Sequence, residues 1–82
     1  MDANTWRTTC QQYIDLNVWV FYKYCTCGGT PKFKYKNKQL QLELWVMPLR
    51  GKFSVFKNGP SVINGAALCE IRERLEVLVS GL

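Results

Sequence analysis

In QLQLELWV, Leu40, Leu42, Leu44 and Val46 alternate with Gln39, Gln41, Glu43 and Trp45. A period of two is the signature of an extended strand, whose successive side chains point to opposite faces, so the alternation predicts a half-buried strand. KFSVF sets Phe53 and Val55 against Lys52 and Ser54, and KFKYK sets Phe33 and Tyr35 against Lys32, Lys34 and Lys36. Both are expected to be strands. LNVWVFYKYC is apolar on both faces and rich in β-branched and aromatic residues, a composition that fits a pleated surface. Between these runs lie the turns. CTCGGTP offers paired glycines for positive φ, MPLRG contains a proline that cannot donate to a ladder, and FKNGP carries the Asn-Gly pair of a tight turn.

Near the C-terminus the period lengthens. Leu68, Ile71, Leu75, Leu78 and Val79 form the stripe of an amphipathic helix, with Asn64 expected as N-cap and Gly81 as stop. Glu70 with Arg74, and Arg72 with Glu76, stand four apart on its wet side. At the other end Trp6, Cys10, Tyr13 and Ile14 also have helical spacing, after a cap at Asp2 or Asn4. Three threonines lower the local helix propensity, so a short helix is expected there. The predicted fold is α+β: a four-stranded, mainly antiparallel sheet with the C-terminal helix packed on one face and a short N-terminal helix, in a single domain over residues 1–82.

Composition adds that the chain can fold but has little to spare. With 82 residues and 48% hydrophobic content, one core is available, and it is a small one. No apolar run approaches the about 18 residues of a membrane span, and MDANTWRTTC lacks the basic start and apolar stretch of a signal peptide. A cytoplasmic protein without a membrane partner is expected. Length and basic composition also suit a phage or mobile-element accessory protein.

The net charge of +5 is unevenly distributed. Residues 32–58 hold seven cations against Glu43, a local +6, whereas the segment before them is neutral and the one after them is −1. A basic stretch on a balanced chain points to a polyanionic partner. The chain has no histidine, so Ser-His, Cys-His and His-metal arrangements cannot be built within it. Its few carboxylates are scattered and offer little support for a paired general acid and base. A non-enzymatic protein without a cofactor is expected.

Cys10, Cys25, Cys27 and Cys69 admit three assignments. CTCGG resembles a zinc knuckle, but one C-x-C with two isolated cysteines departs from the doubled C-x₂-C of zinc ribbons; a metal site here would need all four thiolates gathered by the fold. A disulfide between Cys25 and Cys27 would be strained, and cytosolic thiols stay reduced. The simplest assignment makes Cys10 and Cys69 small core residues and leaves Cys25 and Cys27 at a strand end, with no metal bound.

The lysine alternation carries the functional expectation. If Phe33 and Tyr35 join the core under the helix, Lys32, Lys34, Lys36 and Lys38 point outward, together with Trp45, Lys52 and Phe56. The WVFY strand would add either Trp19 and Phe21 or Tyr22 and Tyr24. Aromatic rings that stack bases beside cations that hold phosphates are the means by which sheets bind single strands. Nucleic-acid binding through Lys32, Lys34, Lys36, Lys52, Trp45 and Phe56 is therefore expected. It should be largely sequence-nonspecific, because Arg50 is the only arginine in the basic segment and bidentate base reading favours arginine. The alternative is a protein-interaction or homo-oligomeric assembly role, in which a partner covers the aromatics and the lysines guard a rim.

Overall fold

A computed structural model describes residues 3–81, with backbone alone at 3, 10–12 and 27. The order is helix α1 (Ala3–Tyr13), strands β1 (Val20–Cys25), β2 (Lys32–Asn37), β3 (Leu42–Met47), β4 (Lys52–Lys57) and β5 (Ser61–Ala67), and helix α2 (Ile71–Ser80). The strands form one sheet in the order β1-β2-β3-β4-β5, every neighbouring pair antiparallel. The α+β class, the antiparallel sheet and the two terminal helices agree with expectation. The strand count does not: among the described residues there are five strands, and Asn64, expected as a helix cap, lies inside the fifth.

The turns explain why the sheet meanders. Asn58 and Gly59 both have positive φ, 52° and 109°, and the Lys57 N–H donates to the Pro60 carbonyl at 2.9 Å, the geometry of a two-residue hairpin. The chain thus turns straight back into β5. The two preceding turns each end on a left-handed residue, Gln41 at φ 55° and Gly51 at φ 66°. Gln41 interrupts the alternation expected from Gln39 onward, so β3 starts at Leu42, and Leu40 packs against the core from the turn. β1 likewise starts four residues later than Leu16: the Asp15 carbonyl accepts from the Val18 and Trp19 N–H groups at 3.0 and 2.9 Å, forming a turn that drops Trp19 into the core. The glycine turn after β1 is closed by the Gly29 N–H, which donates to the Thr26 carbonyl at 3.0 Å, and holds Gly28 and Gly29 in left-handed conformations at φ 74° and 78°.

One sheet face is the core. Phe33, Tyr35, Leu42, Leu44, Val46, Phe53, Val55 and Ile63 are buried there with Trp6 and Ile14 from the N-terminal segment and Ile71 and Leu75 from α2. α1 is fixed by the Trp6 indole N–H, which donates to the Tyr35 hydroxyl at 3.1 Å, and by stacking of Trp6 on Tyr13. Its threonines are accommodated by hydrogen bonds back along the helix, Thr9 Oγ1 to the Thr5 carbonyl at 2.7 Å and Thr8 Oγ1 to the Thr5 carbonyl at 3.0 Å. Asn4 lies within the helix rather than capping it, and Asp2 lies outside the described residues. A 3₁₀ turn, Leu68–Glu70, leads into α2, and the Gly81 N–H donates to the Val77 carbonyl, ending that helix where expected. Arg72 and Glu76 approach to 3.9 Å at the exposed surface, worth at most about 0.5 kcal/mol. Among the described residues no helix is long and apolar enough to cross a membrane.

Candidate nucleic-acid interface

Both helices pack on the core face, so the opposite face displays the alternate residues of each strand. Strand register decides which side chains meet there. Lys34 stands opposite Trp45, and Lys36 opposite Glu43; Trp45 stands opposite Ser54, Glu43 opposite Phe56 and Met47 opposite Lys52. The six expected site residues, Lys32, Lys34, Lys36, Lys52, Trp45 and Phe56, lie on this outer face, whereas Lys38, the fourth lysine of the alternation, falls in the turn after β2.

Trp45 is its centre. The Lys34 ammonium sits 4.2 Å from the Trp45 ring centroid and that of Lys32 5.4 Å, within the range of cation–π attraction. On the other flank Phe56 meets Trp45 at 4.7 Å between centroids, tilted by 54°. Lys36 lies 4.4 Å from the Tyr22 ring. The lysines are thus laid across aromatic surfaces, with their charge close to the sheet. Lys52, exposed at the start of β4, contributes charge without a ring contact among those described. The Trp45 indole N–H is buried without a hydrogen-bond partner, a donor that costs about 1–3 kcal/mol to leave unpaired.

The WVFY strand follows neither expected register. β1 carries a bulge between Phe21 and Lys23, where one extra residue resets the alternation. Phe21 stands opposite Tyr35 and Tyr24 opposite Phe33, both on the core face, with ring contacts at 5.5 and 4.9 Å. Trp19 is in the core, and Tyr22 turns outward under Lys36. Lys23, opposite Lys34, therefore joins the outer face as a further cation, whereas strict alternation would set it on the same side as Trp19 and Phe21. The cation count of the sequence includes it, but the bulge that orients it has no residue-type signature of its own.

The cysteines stand apart from the expected arrangement. Cys69 is exposed, not a core residue; it lies in the 3₁₀ turn before α2 and lines a recess with Tyr13, Gly51, Ala67 and Leu68. Cys25 is half-buried at the end of β1, opposite Lys32. The side chains of Cys10 and Cys27 lie outside the described residues. No group of three or more potential metal ligands occurs among the described residues. Comparison with known protein families, curated proteins and solved structures finds no match for the chain.

Proposed function

We propose that the protein is a non-enzymatic, cytoplasmic binder of nucleic acid, largely indifferent to sequence, with the outer sheet face as its contact surface. One observation carries this reading: Lys23, Lys32, Lys34, Lys36 and Lys52 share one face with Trp45, Phe56 and Tyr22, and Glu43 is the only carboxylate on the central strand of that face. Phosphates meet the ammonium groups, and bases meet the rings. Lys34 covers Trp45 in the unbound protein, but an exposed cation–π contact is worth about 0.5–1 kcal/mol against about 1–3 kcal/mol for a stacked base. A base can therefore displace the lysine, whose ammonium is then released to a phosphate. The prevalence of lysine over arginine favours phosphate contacts, which position without specifying sequence.

Fluorescence anisotropy with single-stranded and duplex oligonucleotides over a range of salt tests this. The expected result is affinity that falls steeply with salt on either ligand or both, with Trp45→Ala weakening binding while leaving the salt slope in place. Absence of salt-dependent binding, together with a concentration-dependent mass that Trp45→Ala or Phe56→Glu abolishes, would replace this reading with assembly through the same face.

A further inference from the structure

β1 is an edge strand, hydrogen-bonded within the sheet to β2 alone. It is also the most apolar exposed element of the protein: Val20, Phe21, Tyr22 and Tyr24 are 60%, 47%, 39% and 40% exposed. Edges are normally guarded by charge, bulges or brevity. The other edge, β5, has two register shifts and a left-handed Gly65, which spoil it as a template. β1 has one bulge and one lysine, and the bulge has a consequence for pairing. Along Val20–Cys25 the faces run outer, inner, outer, outer, inner, outer, as fixed by the partners of each residue on β2 and by Lys36 over Tyr22. That order is the same in both directions.

We propose that β1 docks against β1 of a second copy, antiparallel about a twofold axis between Tyr22 and Lys23, joining two sheets into one of ten strands. Directly opposed residues of an antiparallel pair share a face. In this register Phe21 meets the second copy's Tyr24 on the core face, Tyr22 meets the second copy's Lys23 on the outer face, and Val20 meets the second copy's Cys25. Aromatic pairs fall on one side and cation–ring pairs on the other. The one lysine of the edge thus faces a ring and not its own twin. A regular strand from another protein would alternate strictly and fall out of phase at the bulge, whereas a second copy carries the matching bulge by identity. The interface is isologous, as twofold dimers require.

Its extent sets its strength. With about 150–250 Å² per aromatic side chain, the exposed fractions of Phe21, Tyr22 and Tyr24 leave about 250 Å² of ring surface per copy to cover. Two copies with their backbone edges fall below the roughly 1,200 Å² lower bound of stable interfaces, in the range of weak, transient association. Lysines of β1 and β2 from both copies approach one another, so salt should strengthen the dimer, the opposite of its effect on nucleic-acid binding. The dimer forms without nucleic acid and does not depend on nucleic-acid binding by the outer face.

Disulfide trapping tests the register. In a background with Cys10, Cys27 and Cys69 changed to Ser, Val20→Cys places a thiol opposite the second copy's Cys25, within the Cα separation that a disulfide spans. Mild oxidation should give a covalent dimer whose yield rises with protein concentration, while the background with Cys25 alone, and Val20→Cys with Cys25→Ser, should give little. Equal yields from all three, or none from any, would overturn the register. A second measurement keeps every native cysteine: light scattering of reduced protein over a concentration series. Tyr22→Lys sets two cations opposite each other and should abolish association, whereas Tyr22→Glu sets a carboxylate opposite Lys23 and should strengthen it. A mass that is monomeric at every concentration, or that neither change moves, would sink the proposal.

Discussion

Trp6 holds α1 to the sheet by two means, a fully buried ring and an indole N–H given to the Tyr35 hydroxyl. Trp6→Phe withdraws the donor and leaves space, and is expected to destabilise by about 1–3 kcal/mol in urea unfolding. Backbone conformation permits a contrast of sign elsewhere. Gln41 occupies a left-handed position with an exposed side chain, so Gln41→Gly should stabilise by up to about 1 kcal/mol, while Gly51→Ala at the equivalent place in the next turn should destabilise by about as much. Equal shifts in thermal midpoint from both would mean that the two turns are not equivalent. The outward direction of Lys32, Lys34 and Lys36 was legible in the sequence because an unbroken period of two admits one assignment once Phe33 and Tyr35 are core. Tyr22 and Lys23 were not, because a bulge shifts the alternation by one residue without changing composition. Buried Asn37, whose side-chain oxygen accepts from the Leu40 N–H at 3.1 Å, was equally hidden, since an asparagine that holds a turn through its side chain and a solvated one look alike in sequence.

β5 shows why an element can be missed while its turn is recognised. SVINGAA has no alternation to detect: only Ile63 is buried, opposite Val55, and asparagine, glycine and alanine are poor strand formers. Its stability comes from pairing. The Gly65 N–H donates to Ser54 Oγ at 3.0 Å, and Gly65 has φ 68° with open space where a Cβ would stand, save Lys52 Cδ at 4.0 Å. Gly65→Ala should destabilise by about 1 kcal/mol through backbone strain alone. α2, by contrast, was legible because its apolar stripe has a fixed period; Leu68, Ile71 and Leu75 are buried as that period requires. What the stripe could not show was its start: Asn64 looks like a cap, but a 3₁₀ turn at Leu68–Glu70 precedes the helix. Leu75→Ala should destabilise by about 2–5 kcal/mol, as deletion of a packed core side chain does. A change within about 0.5 kcal/mol, typical of surface positions, would place α2 elsewhere.

For the whole molecule, what matters is where the positive charge is placed, because net charge alone would draw any polyanion to any side of the protein. Two triple variants separate placement from total. Lys32, Lys34 and Lys36 changed to Gln remove three charges from the outer face, all set on or beside aromatic rings. Lys57, Arg72 and Arg74 changed to Gln remove three charges from elsewhere: Lys57 lies opposite Leu42 on the core-face register, and both arginines are exposed on α2. Each triple variant lowers the formal charge from +5 to +2. If phosphates seat on the outer face, the first should reduce the slope of log K against log salt by about 2 to 3, since each lost phosphate contact contributes about 0.7–0.9. The second should leave that slope nearly unchanged and lower affinity only slightly through long-range attraction, an effect that fades once the Debye length falls to about 10 Å at 0.1 M salt. Equal slope changes from the two would show that binding answers to net charge, and the outer face would lose its claim as the interface. A larger effect from the second would move the interface to the helical side, where Arg72 and Arg74 stand among Glu70, Glu73 and Glu76, a balance that gives phosphates little reason to settle there.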